Sequence, residues 1–217
     1  SGRQAFTCAH ELGHWYFKHG DMIHSMNVEE GPEDTPQEQL AHTFATYLLM
    51  PPWAVKAAFT KRGWNPEKCS PLEIFIAACQ LGVGFTTLVN HLHYGLKFIG
   101  RAAAKACLRT SPKAIREAIT RSTCYNSLVI ADKHWTDIPI DICTADAALL
   151  PKHVTIEGRA ARIVGEVDAG VLIEAVRPGI SRAECSNENW ASFIRVSKKG
   201  YEGRAVYRHL EDPDIDD

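Results

Sequence analysis

Apolar positions recur at helical spacing through the first two-thirds of the chain and crowd into short strand-like runs after it. Residues 3 to 19 set Phe6, Ala9, Gly13, Tyr16 and Phe17 near a 3.6-residue period, and Gly20 behind His19 reads as a helix stop. A polar stretch over residues 20 to 34 carries Glu29, Glu30, Glu33 and Asp34 and reads as a loop. Thr35-Pro36 then offers an N-cap followed by a proline at the first helical position. The helix it predicts has the stripe Ala41, Phe44, Ala45, Leu48 and Leu49, and Pro51-Pro52 ends it. A third helix is expected from Trp53 to Lys61, broken by Gly63. Ser70-Pro71 opens another, and Leu81-Gly82-Val83-Gly84 makes a tight turn before a helical pattern from Thr86 to Ile99. That helix, glycine turn and helix over Ser70 to Gly95 resembles a helix-turn-helix. Residues 101 to 121 read as helical too, with Lys and Arg outward.

The pattern changes near Cys124. Ser127–Ile130, Ala161–Val164, Val171–Val176 and Phe193–Val196 are β-branched runs, with turn signals at Pro178-Gly179 and at Lys198-Lys199-Gly200. The expected fold class is α+β: a helical domain over residues 1–124, its helix-turn-helix-like segment near 70–95, then a β-rich domain over 125–217. Trp135, Trp190, Tyr201 and Tyr207 are expected as core or interface aromatics of the second part, and the acidic tail from Glu211 as a frayed end.

Bulk properties narrow the picture little. A length of 217 residues suits one large domain or two small ones, and a net charge of -2 advertises no polyanionic partner. No apolar run reaches the roughly 18 residues of a membrane helix. The cysteines, at 8, 69, 79, 107, 124, 143 and 185, are odd in number and form no CxxC pair. They read as reduced, buried thiols of a cytoplasmic protein.

Chemistry concentrates in His10-Glu11-Leu12-Gly13-His14. Residues four apart on a helix share a face, so both imidazoles can aim at one metal ion, while Glu11 beside them can reach a water on it. A catalytic zinc takes three protein ligands and keeps an open position. The third ligand must come from elsewhere. Glu38 is the best candidate, since Ala41 and Ala45 follow it on one face and small residues let two helices approach. Thr35-Pro36-Gln37-Glu38 also fits a capping box that would use the same acid locally. Glu29, Glu30, Glu33, Asp34 and His42 stay open as rivals.

The string from Phe6 through His14, then Glu38-Gln-Leu-Ala-His-Thr-Phe-Ala45, then Leu48-Leu-Met-Pro51, resembles the ImmA/IrrE family of metallopeptidases. The resemblance covers residues 3 to about 53 closely and fades toward 100. It implies that His10, His14 and Glu38 hold zinc and that Glu11 is the catalytic base. His42 departs from the asparagine often found at that place. The resemblance implies a zincin-like metallopeptidase domain, a fold that normally has sheet structure ahead of the active-site helix, so an N-terminal piece is expected to be missing here.

What the resemblance implies for function is zinc-dependent endopeptidase activity on a regulatory protein, such as a helix-turn-helix repressor whose loss releases stress genes. The alternative is a non-catalytic zinc-containing interaction module, against which Glu11 argues, since a structural site needs no base. Direct nucleic-acid binding is not expected, because Thr86 to Tyr94 offers histidines and neither Lys nor Arg for phosphate contact. His91, His93 and Tyr94 could supply a second electrophile, but read as an exposed polar face. Lys113, Arg116 and Arg121 read as solvated surface.

Overall fold

The computed structural model describes residues 2–19, 35–136 and 138–200. The acidic stretch at 20–34, the tail, Tyr201 and Tyr207 lie outside the described residues. The chain is α+β and divides into two compact units, Ser1–Arg109 and Thr110–Asp217. Among the described residues, every strand belongs to the second unit.

The first unit is helical. α1 spans Gly2–Tyr16, α2 Pro36–Leu49, α3 Pro52–Thr60, α4 Pro71–Leu81, α5 Phe85–Asn90 and α6 Arg101–Leu108. The start signals act locally as their chemistry dictates. Thr35 Oγ1 accepts the Glu38 amide at 3.3 Å. Ser70 closes a full capping box with Glu73, whose Oε2 accepts the Ser70 amide at 2.7 Å. Gly82 ends α4 in the left-handed conformation at φ 67°. α4 and the helical segment after it, Phe85–Gly95, meet at 104°, as a helix-turn-helix does. The last turn of that segment, His91–Gly95, is π-helical.

α1 ends differently from the glycine stop expected at residue 20. Its left-handed residue is Lys18, at φ 57°. The Lys18 amide donates to the Trp15 carbonyl at 3.2 Å and the His19 amide to the His14 carbonyl at 3.1 Å. This is a Schellman motif, and it brings His19 back over His14.

α1 and α2 pack through small residues. Ala41 and Ala45 are fully buried, and Ala9 and Gly13 face the same contact. A Cβ built on Gly13 would lie 3.0 Å from the Ala41 Cα and 3.2 Å from its carbonyl oxygen. Only glycine lets the two backbones come this close. Aromatic rings then fasten one end, with Phe44 stacked on Tyr16 at 5.5 Å and edge-on to Phe17 at 5.7 Å.

The helical stretch expected over residues 101 to 121 holds two helices. α6 stops at Leu108, and α7, Pro112–Thr120, starts anew from the Ser111 cap and a first-position proline. The boundary between the units falls in this break, ahead of the composition shift near Cys124.

The second unit holds two mixed sheets. One has the order β1 (Leu128–Ile130), β3 (Ala147–Leu150), β6 (Gly170–Ala175), β5 (Ala161–Val167). The other runs β2 (Ile140–Cys143), β8 (Ala191–Ser197), β7 (Gly179–Cys185), β4 (Val154–Gly158). In each, one edge strand pairs parallel, β1 with β3 and β2 with β8, and the remaining pairs are antiparallel. β3 and β6 are inner strands, so β3 is buried at every position and β6 at all but one. Trp135 and Trp190, each 4% exposed, belong to this core. Gly170 is at φ 152°, and any Cβ there would collide with the Leu150 carbonyl oxygen.

All seven cysteines are free thiols. Only Cys107 and Cys185 are buried, while Cys8 and Cys124 are exposed, which corrects the expectation of uniformly buried thiols. Burial, with the Glu73 charge adding to it, pushes the Cys69 thiol up to about 12. No thiolate nucleophile is available there.

No single described helix is long and apolar enough to cross a membrane.

Candidate metal centre

α1 and α2 bring three side chains to one point. His10 Nε2 lies 3.0 Å from Glu38 Oε2 and 3.0 Å from His14 Nε2. His14 Nε2 lies 3.3 Å from Glu38 Oε1. The helical repeat supplies the first pair, since His10 and His14 are one turn apart on α1. The Gly13–Ala41 approach supplies the third, by bringing the first turn of α2 against that face. All three side chains are mostly shielded, with 13 to 22% of their surface exposed.

The capping alternative for Glu38 can be weighed against the same pattern elsewhere in the chain. Thr35-Pro-Gln-Glu38 and Ser70-Pro-Leu-Glu73 have one design, a hydroxyl cap, a proline and an acid at the third helical position. In the second, the carboxylate folds back onto its own cap. In the first, Thr35 caps the Glu38 amide while both carboxylate oxygens face the histidines. The acid serves the site, and the hydroxyl serves the helix.

The donor set fits a small divalent cation. The two imidazole Nε2 atoms lie 3.0 Å apart, and each lies 3.0 to 3.3 Å from one oxygen of the Glu38 carboxylate, close to the edge of a tetrahedron with bonds of about 2.0–2.1 Å, which is about 3.3 Å. Two imidazole nitrogens and a carboxylate are the ligand types zinc takes at catalytic centres. Among the described residues this is the group of His, Cys, Asp and Glu side chains that could hold a metal. His42 is not in it. Its ring instead meets the Phe6 ring at a tilt of 58°, with centroids 5.0 Å apart. The rival acids at 29 to 34 lie outside the described residues.

Glu11 projects from α1 beside His10 and is exposed. One further residue joins the site that sequence reasoning had not singled out. His19 Nδ1 lies 3.0 Å from His14 Nδ1, and their rings meet edge-on at 5.0 Å. If His14 offers an unprotonated Nε2 to a cation, its proton is on Nδ1, where it donates to His19. The signal was an imidazole five residues past His14, and only a left-handed residue at 18 turns it inward.

His91 corrects the expectation of an exposed polar face. It is 3% exposed, its Nε2 lies 2.9 Å from the Met50 carbonyl oxygen, and the Tyr47 ring meets it edge-on at 5.0 Å. It ties the end of α2 to the π-helical turn. Burial holds its pKa below the ordinary histidine value, against the Met50 hydrogen bond, which acts the other way. His93 bonds the Ile99 carbonyl oxygen at 3.1 Å, and Tyr94 is 69% exposed.

Two histidines on an HExxH helix, with a carboxylate from a second helix, form a donor set that could hold one metal ion, as in metallopeptidases. Residues 1–92 match the family model of the IrrE N-terminal-like domain, Peptidase_M78. That stretch is similar to the ImmA/IrrE family, which is one of zinc metallopeptidases. No curated relative and no solved structure matches the chain.

Proposed function

We propose that the protein is a zinc-dependent endopeptidase whose substrate is a regulatory protein, such as a helix-turn-helix repressor. The convergence of His10, His14 and Glu38 carries this reading. On this reading His10, His14 and Glu38 hold the ion, and the first unit works as a zincin-like catalytic domain. Zinc, when bound, supplies Lewis-acid polarisation of a water and of the scissile carbonyl.

The chain's own residues do the rest. Glu11, exposed next to His10, accepts the proton of the attacking water and returns it to the leaving amine. His19 orients His14 through the Nδ1 contact. Gly13 and Ala41 keep the two ligand-bearing helices close enough to share one ion. The exposure of Glu11 leaves its carboxylate accessible to an incoming backbone, as an endopeptidase needs. The intended compartment is the cytoplasm, in keeping with seven free thiols.

The test is incubation of the zinc-loaded protein with candidate repressors from its own operon, with Glu11→Gln alongside. Wild type should cut one of them, and the variant should lose about 10²–10⁴-fold in rate. Equal cutting by both would overturn the assignment of the base. Tight binding of a repressor by both, with no cleavage by either, would replace the peptidase with an interaction module.

A further inference from the structure

One turn away from the metal-binding trio, both helices lead into the same cleft. Phe6 precedes His10 by one turn of α1, and His42 follows Glu38 by one turn of α2. Their rings touch at 5.0 Å, and both line an open cleft of about 550 Å³. The opposite wall is a stripe on α5 and its π-helical turn, carrying Thr87, Asn90, His91 and Tyr94. The volume is in the range that holds a small ligand or a large side chain.

The lining has a definite chemistry. Among the described residues that line it there is no Lys, Arg, Asp or Glu. Hydroxyls, one primary amide and two histidines are the polar groups these residues offer. His91, at 3% exposure and bonded through Nε2 to Met50, gives a neutral wall there. Its Nδ1 is buried and has no hydrogen-bond partner among the described residues. An added Cβ at Gly95, which also lines the cleft, would collide with that nitrogen. An ion entering such a cleft loses hydration and meets no counter-charge, whereas a phenol or an amide finds donors and acceptors.

We propose that this cleft is a substrate subsite, which takes a large uncharged side chain, best an aromatic one carrying a hydroxyl, from a residue beside the scissile bond. The proposal rests on the peptidase reading and adds a sequence preference to it. One helical turn is about 5.4 Å and an extended peptide advances about 3.4 Å per residue. The cleft therefore serves the first or second residue from the bond that is cut. Substrates with Lys, Arg, Asp or Glu at that position are disfavoured.

The test uses the full chain with zinc, ¹³C-labelled at threonine methyls, titrated with N-acetyl-tyrosinamide and separately with N-acetyl-lysinamide. Tyrosinamide should produce saturable shifts at Thr46 and Thr87, and lysinamide should bind at least about tenfold more weakly. Thr87→Lys, at a half-buried position of α5, should weaken tyrosinamide by about tenfold while zinc uptake is unchanged. Its remaining methyl signals, superimposing on wild type, establish that it folds. Equal affinity for the two amides, or no shift at the cleft threonines, would overturn the proposal. Zinc uptake without tyrosinamide shifts would remove the subsite and leave the metal centre standing. Tyrosinamide shifts in a chain that takes up no zinc would support the cleft's selectivity and overturn the peptidase reading beneath it.

Discussion

His19 lies outside the five-residue motif, yet it touches a proposed ligand through the ring nitrogen that faces away from the metal position. Groups in that situation fix ring orientation and tautomer, and their loss typically costs 10- to 100-fold, so a drop of about tenfold or more in zinc affinity is expected for His19→Ala. Competition with a chromogenic chelator measures it. Unchanged affinity would mean that the helix alone orients His14. A second residue-scale prediction concerns His91. Its folded pKa is below the ordinary 6.5, because burial disfavours the imidazolium. The sign follows from linkage. Above the unfolded value neither state binds the proton, and its full contribution is present. As the pH falls through that value toward the folded one, the unfolded chain takes a proton that the fold refuses, and stability is lost. The groups facing the ring are Tyr47 and the Met50 carbonyl. His91→Gln should therefore flatten part of the loss of stability seen by urea denaturation between neutral pH and pH 5. Parallel curves for the two proteins would contradict this.

At the scale of elements, the pairing of α1 with α2 decides whether three side chains can share one ion. Gly13→Val would push branched methyls into the Ala41 backbone, already 3.0 Å from an ideal Cβ. The helices would separate, and overpacking of this kind costs about 1–3 kcal/mol. The expected result is a lower melting temperature together with weaker zinc binding, read on the same samples. A variant as stable as wild type with intact zinc affinity would show that the close approach is dispensable. Much of this pairing was legible in the sequence. The HExxH spacing needs only the helical repeat, and the Thr35-Pro36 start sets the register of Glu38. What the sequence left open was where the Glu38 carboxylate turns, because the same four-residue pattern caps a helix at Ser70. A partner helix decides that, and no local propensity encodes it. The end of α1 was misplaced for a related reason, since Lys18 adopts a left-handed conformation usually left to Gly or Asn. Two of the strands carry no β-branched run that would single them out. Ala147-Ala-Leu-Leu150 and Gly179–Cys185 become strands through burial and pairing with neighbours distant in the chain.

For the whole molecule, the division into Ser1–Arg109 and Thr110–Asp217 has a thermodynamic consequence. Each unit has its own buried apolar residues, such as Phe59, Ile74 and Leu88 in the first and Ile140, Ile173 and Ile194 in the second. The metal-binding residues belong to the first alone. Zinc at a hundred times its dissociation constant should stabilise that unit by about 2.7 kcal/mol and leave the second unmoved. Calorimetry should show two transitions, of which chelation lowers one. A single transition that moves as a whole would contradict independent units. The measurement closest to the central claim is zinc stoichiometry and affinity across four proteins, namely wild type, His10→Ala, Glu38→Ala and Glu11→Gln. One ion per chain is expected for wild type and Glu11→Gln, and a large loss of affinity for His10→Ala and Glu38→Ala. Zinc bound by Glu38→Ala as tightly as by wild type would contradict the two-helix, three-ligand site.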